Sequence, residues 1–233
     1  TLSYSYSQAS LSATSTALCP GGSTTFTNTT PGTATSMKWY FPGGTPSTST
    51  VANPVVSYAA AGSYNVTLVS TSSAGTDSSV FSNYITVNPL PPAVVTPASS
   101  TTVCSGTKVV LNANSGAGMT YQWQKNNVAI AGATTSGYSA STTGTYRVLE
   151  TNSFGCSAAS AGVTVTVNPK PAATITSGLS TTICPGDSVV LTANSGSGYT
   201  YTWKKSGTVV AGATGSVYAA KATGNYSTIV SNA

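Results

Sequence analysis

Cys19, Cys104, Cys156 and Cys184 are the only thiols of this 233-residue sequence, and Asp77, Glu150 and Asp187 are its only side-chain carboxylates. Histidine is absent. That excludes, within these residues, a Ser/His/Asp or Cys/His relay and the usual His-bearing zinc sites. Three acids spread over such a length offer no pair for general acid–base exchange and too few ligands for a calcium cage built from side chains. Neither catalysis nor a cofactor is expected. A calcium ion held by backbone carbonyls is the one metal arrangement left open.

Trp39, Trp123 and Trp203 could serve as stacking platforms for sugars. They occupy the same place in three similar strands, however, where each would bury a large apolar surface, so a core role is the stronger reading. Tyr64, Tyr146 and Tyr226 fall at matching places downstream and are read with the core. A carbohydrate site would have to use loop tyrosines, and no ligand-binding set stands out among them.

The elements that position these residues repeat. Ser100 to Ser153 returns as Ser180 to Ala233, with Cys104, Leu111, Trp123, Tyr138, Gly144 and Tyr146 recurring as Cys184, Leu191, Trp203, Tyr218, Gly224 and Tyr226. Roughly half of the aligned positions are identical, far beyond what shared composition would produce. Apolar residues alternate with polar ones throughout: Leu2, Tyr4 and Tyr6 in Thr1–Ser7; Met37, Trp39 and Phe41; Val55 to Tyr58; Tyr64 to Ser70; a last strand of the first domain over Val80 to Val87. In the second domain Val109, Leu111 and Ala113 share a face. Trp123 belongs to the facing sheet, with Gly144 to Val148 as its partner and Val163, Val165 and Val167 closing the domain. Period two is the signature of half-buried strands, and no amphipathic helix is found. Val87-Asn-Pro-Leu-Pro-Pro92 and Val167-Asn-Pro-Lys-Pro171 are proline-stiffened connectors. The expected architecture is all-β, three β-sandwiches in tandem over residues 1–88, 89–168 and 169–233, arranged as a rod with limited bending. At the repeat spacing the closing strand of the third falls past residue 233, so that sandwich is incomplete in this sequence. Another part of a longer chain, or another subunit, is expected to supply the strand.

Charged residues make up only 5% of the sequence, and the net charge of +5 reflects the scarcity of acids. Apart from Lys204 and Lys205 the bases are scattered, which argues against nucleic-acid binding. No stretch approaches the ~20 apolar residues of a membrane span, so no membrane insertion is expected for this segment. The sequence opens without an initiator Met and reads as part of a processed or larger protein.

The apolar-x-Leu strand, the Trp about a dozen residues on and the Gly-x-Tyr corner of the second and third domains resemble immunoglobulin-like sandwiches. The positions that carry the inter-sheet bridge of antibody domains hold Ala113 and Val148, or Ala193 and Thr228, so the resemblance is to bacterial immunoglobulin-like repeats. The first domain resembles the polycystic-kidney-disease (PKD) type. Trp39-Tyr40-Phe41-Pro42-Gly43-Gly44 stands for the W-D-F-G-D-G motif of that type, and Tyr58, Gly62, Tyr64, Val66 and Leu68 for its downstream motif. Both aspartates of the parent motif are missing. Together these modules resemble those of Bacteroidota surface adhesins and secreted enzymes exported by the type IX system. The resemblance implies extracellular display, with a sorting domain expected farther on.

In this fold edge and closing strands can be neighbours, so a Cys104–Cys156 disulfide is expected. The partner of Cys184 would then fall near position 236, outside the sequence. Cys19, with Thr76 at the matching place and no cationic neighbour to lower its pKa, is expected as a buried, unreactive thiol. Asp187-Ser188-Val189 resembles the Asp-Ser/Thr-apolar O-glycosylation site of Bacteroidota and makes Ser188 a candidate for modification. Asn28, Asn65 and Asn225 match the short N-glycosylation pattern.

Three functions are compatible with these features. The leading one is a structural, rod-like segment of an extracellular cell-surface adhesin or filament, with neighbouring modules or identical subunits as partners. Accessory modules that hold a secreted hydrolase on an insoluble polymer, and a fibre subunit using Thr1–Ser7 as a donor strand, are the alternatives, and a surface polysaccharide is a further candidate partner.

Overall fold

The computed structural model describes residues 8–73, 75–178 and 180–232. The strand expected over Thr1–Ser7 lies outside them. All the regular elements of the described residues are β-strands, as hydroxyl-rich, β-branched segments of period two dictate. The chain packs as two compact units. The first runs up to Thr101 and adds Val109–Ala140 and Gly144–Val165; the second comprises Thr102–Lys108, Ser141–Thr143 and the residues from Thr166 onward. The second of three sandwiches contributes to both units.

The first sandwich comprises β1 (Leu11–Ala13), β2 (Ala17–Leu18), β3 (Gly22–Asn28), β4 (Ala34–Tyr40), β5 (Gly44–Thr45), β6 (Thr48–Ser49), β7 (Val55–Tyr58), β8 (Gly62–Ser72) and β9 (Gly75–Val87). One sheet has the order β1-β3-β7-β5, the other β2-β9-β8-β4-β6. Phe26, Trp39, Phe41, Val56, Tyr58, Val66, Leu68 and Ile85 fill the space between them. β9 begins five residues before the expected Val80. Its polar start is held by pairing with β8, from Ser72↔Gly75 through Leu68↔Ser79, and hydropathy alternation does not report such ladder bonds. Gly43 has a φ of 78°, and a Cβ there would run into the Tyr64 ring. Only glycine lets that turn lie against the aromatic.

The second sandwich comprises β10 (Val95–Pro97), β11 (Thr102–Cys104), β12 (Val109–Ala113), β13 (Thr120–Lys125), β14 (Val128–Ala129), β15 (Gly137–Ala140), β16 (Gly144–Thr151), β17 (Ser157–Ala159) and β18 (Val163–Asn168). Its sheets run β10-β12-β15 and β11-β18-β16-β13-β14, with β17 also on β16. β11 lies parallel to β18, as β2 does to β9.

The third has β19 (Ile175–Ser177), β20 (Val189–Ala193), β21 (Thr200–Lys205), β22 (Thr208–Val209), β23 (Val217–Ala220) and β24 (Tyr226–Ser231). The sheet orders are β19-β20-β23 and β22-β21-β24. β16 is strand from Gly144 because Gly144, Thr145 and Tyr146 pair with Val165, Thr164 and Val163. Its counterpart β24 starts only at Tyr226, and among the described residues no strand pairs it on that side. The packing beneath responds: Val109 and Leu111 are 0% exposed, whereas Val189 and Leu191 are 9% and 8% exposed.

Candidate functional site

Each tryptophan is a buried post whose indole N–H donates to a carbonyl twelve residues on: Trp39 to Val51 at 3.1 Å, Trp123 to Thr135 at 2.8 Å and Trp203 to Gly215 at 2.9 Å. All three are 0% exposed. With the ring enclosed and its donor satisfied, none offers a face to a sugar. Trp123 stacks on Tyr138, and Tyr138 meets Tyr146; Trp203, Tyr218 and Tyr226 repeat the column. Tyr146 is buried, while Tyr64 and Tyr226 are half-buried and donate to Ala60 O and Ala222 O, each at 2.7 Å. No Trp or Tyr among the described residues is exposed, and Phe154 is the only aromatic among their exposed large apolar side chains.

The cysteines do not pair as expected. Cys156 bonds to Cys19, not to Cys104, across a sequence separation of 137 residues with Cα atoms 5.5 Å apart. Cys104 and Cys184 are free and exposed. The cause is register. Cys104 on β11 faces Asn168, and β18 meets β16 at the Gly144 end. Cys156 instead follows Thr151 at the other end of β16, beyond the Thr151↔Ser157 pair. Within the first unit, β2 lies along the end of β9 (Leu18↔Val87), and the Asn88 N–H donates to Leu18 O at 2.8 Å, so Cys19 emerges beside Asn88. Asn152 presents Cys156 there. Its Oδ1 accepts from the N–H groups of Phe154 and Cys156 at 3.1 and 3.0 Å, and its Nδ2 donates to Pro89 O at 2.8 Å. Asn152 and the disulfide thus brace both sides of the first proline connector. Sequence reading left Cys19 as an unpaired buried thiol. The available signal was that Cys19 shares its position with Cys104 and Cys184, while Cys156 has no counterpart in the first domain.

Glu150 was also missed. It is 0% exposed, and neither carboxylate oxygen has a hydrogen-bond partner. Burial pushes its pKa above the ordinary carboxylate range. The Asn114 side chain and the backbone groups of Val94 and Asn114 oppose that without closing a good hydrogen bond. Its period-two register with Tyr146 and Val148 was the available signal, and Val230 fills the equivalent place in the third sandwich, 8% exposed.

Tyr58 has a buried hydroxyl without a partner. Burial, with a smaller contribution from neighbouring Tyr64, pushes its pKa from 10.0 up to about 12. Because the folded value is the higher one, this contribution to stability is complete below pH 10.0 and is lost as pH rises through about 12. Tyr58→Phe is expected to flatten the alkaline fall in the urea midpoint of the first sandwich without lowering its neutral-pH value, since no hydrogen bond is removed. An unchanged alkaline fall would contradict this.

In the second unit the flank of the third sandwich beside β24 is an open groove of about 570 Å³, lined among others by Ile175, Ile183, Cys184, Val189, Leu191 and Tyr226. Its Gly224, Asn225 and Tyr226 correspond to Gly144, Thr145 and Tyr146, which pair with β18 in the second sandwich. Ser188 lies exposed just before β20. Among the described residues no group of three or more His, Cys, Asp or Glu side chains could hold a metal ion, and no helix is long and apolar enough to cross a membrane.

Residues 9–87 match the family model of the PKD domain, and residues 91–169 that of the Ig-like domain, CHU_C associated. No curated protein matches the chain in sequence. Among solved structures it is similar to an I-band fragment of titin, at 17% identity and TM-score 0.45 over 96% of this chain and 93% of that one. The N-terminal eight Ig domains of the Down Syndrome Cell Adhesion Molecule align at 14% identity and TM-score 0.42, over 97% of this chain and 35% of that one. Fibronectin(III)-like modules of Clostridium thermocellum CbhA align at 14% and 0.35, over 69% and 95%.

Proposed function

We propose that this chain, a PKD-type sandwich followed by Ig-like sandwiches, is a stiff structural segment of an extracellular cell-surface adhesin or filament and carries no catalytic activity. The observation that bears most weight is the Cys19–Cys156 bond with its Asn152–Pro89 brace. A covalent link across a connector passes tension from one module to the next without relying on the connector itself. A disulfide also suits an oxidising, extracellular setting. Accessory modules that hold an enzyme on an insoluble polymer would be expected to present a row of exposed aromatics, and the described surface presents Phe154 alone.

The open groove favours a second reading, a fibre subunit that accepts a strand from a neighbour. Its proposed donor, Thr1–Ser7, lies outside the described residues.

Antibody raised to this chain is expected to decorate intact, unpermeabilised cells of the source organism, and the purified chain to stay in solution when spun with insoluble cellulose or chitin. Purely internal labelling would overturn the surface role, and co-sedimentation would move the assignment to polymer binding. Size-exclusion of the same preparation separates the remaining readings: a monomer supports the segment, and concentration-dependent polymers support strand exchange.

A further inference from the structure

We propose that the open flank of the third sandwich is a receptor for an extended segment of a separate polypeptide, one with a β-branched aliphatic residue at every second position, which enters antiparallel to β24 and parallel to residues 182–184. The receptor site is the groove of the fibre reading, and the proposal rests on that groove being open to a strand, not on self-assembly.

The second sandwich shows what such a slot holds, because the two frameworks pair in the same register. β12 meets β15 from Val109↔Ala140 to Asn112↔Gly137, and β20 meets β23 from Val189↔Ala220 to Thr192↔Val217. β13 meets β16 from Thr120↔Thr151 to Lys125↔Tyr146, and β21 meets β24 from Thr200↔Ser231 to Lys205↔Tyr226. In the second sandwich β18, Val-Thr-Val-Thr-Val-Asn, lies between two partners. Val163, Thr164 and Val165 pair antiparallel with Tyr146, Thr145 and Gly144, while Thr166, Val167 and Asn168 pair parallel with Thr102, Val103 and Cys104. The counterparts of both partners line the groove: Gly224, Asn225 and Tyr226 on one side, Thr182, Ile183 and Cys184 on the other.

Two observations mark the slot as ready for a strand. A Cβ on Gly224 would press on the Lys205 stem, as one on Gly144 would press on that of Lys125, so the antiparallel ledge is already shaped as it is beneath β18. The parallel ledge is still open. Thr102–Cys104 is the strand β11, whereas 182–184 has no strand, and Ile183 is 38% exposed where Val103 is half-buried. Main-chain pairing would supply affinity. Val189 and Leu191 beneath the slot would select aliphatic residues at alternate positions, as Val109 and Leu111 lie beneath the buried Val165. β18 is held between β11 and β16, and β9 between β2 and β8, so the described residues have no such strand to spare.

The test adds the peptide Gly-Val-Thr-Val-Thr-Val-Asn, the sequence of residues 162–168, in excess to the full chain at a concentration where the chain elutes as a monomer. Amide hydrogen exchange resolved by peptide is expected to show residues 182–184 and 224–226 losing their fast exchange together, with β3 and β13 unchanged. The same peptide with Val165→Asp, which puts a charge at the buried position, is expected to leave both segments exchanging as before. Exchange unaltered by the first peptide, slowed in one segment alone, or slowed equally by the second peptide, would overturn the proposal. Size exclusion at higher concentration judges the fibre reading separately: a chain that stays monomeric and still takes the peptide keeps the strand receptor and removes the fibre, and polymers that the peptide breaks into monomers support both.

Discussion

Trp123→Ala is expected to unfold the second sandwich at denaturant concentrations that leave the first intact. The indole is fully enclosed, and its N–H satisfies Thr135 O. Truncation removes the largest side chain of that core, takes away the stacking partner of Tyr138 and strands a carbonyl. Substitutions of this kind cost about 3–5 kcal/mol, against total stabilities of about 5–15 kcal/mol for a domain. Hydrogen exchange resolved by peptide should show protection lost over β12, β13 and β16 and retained over β3, β4 and β8. Full protection in all six strands would show that the indole is not the post of this core. Trp123→Phe, which keeps much of the apolar volume, should lose less.

Cys19→Ser is expected to destabilise the second sandwich, although Cys19 belongs to the first. When the second sandwich unfolds while the first stays folded, the bond closes a loop from Asn88 at the end of β9 to Cys156, which are 68 residues apart. Chain entropy assigns to a loop of that size about 4 kcal/mol. The urea midpoint of the second sandwich should fall in Cys19→Ser, and adding a reductant to the unaltered chain should reproduce the fall. Cys19→Ser combined with Cys156→Ser should cost little more than either alone, since both remove one bond. A midpoint insensitive to all of these would mean that the disulfide leaves the unfolded chain's freedom unchanged.

The sandwich class, the repeat and the tryptophan posts were legible because each is a local pattern. Alternation of period two marks half-buried strands whatever their partners are, so Met37-x-Trp39-x-Phe41 and Val109-x-Leu111 pointed inward as expected. The short parallel strands β2 and β11 carry too few residues to show alternation. They exist because a neighbouring strand end offers hydrogen bonds. The beginning of β9 was illegible for the same reason: Gly75–Ser79 is polar and is organised by β8.

Residue type and order along the chain were enough to establish an all-β chain of repeated modules, with its tryptophans inside and no histidine among these residues. Those properties depend on residue type and spacing along a single strand. Which cysteines meet was set by the three-dimensional packing. Cys19 and Cys156 are brought together by the register of β2 on β9 and by Asn152 gripping the Pro89 carbonyl, contacts between residues far apart in sequence. It also decided that the Glu150 carboxylate and the Tyr58 hydroxyl are enclosed without partners. Burial of a polar group depends on what packs over it, and alternation along a strand names the face without naming the cover.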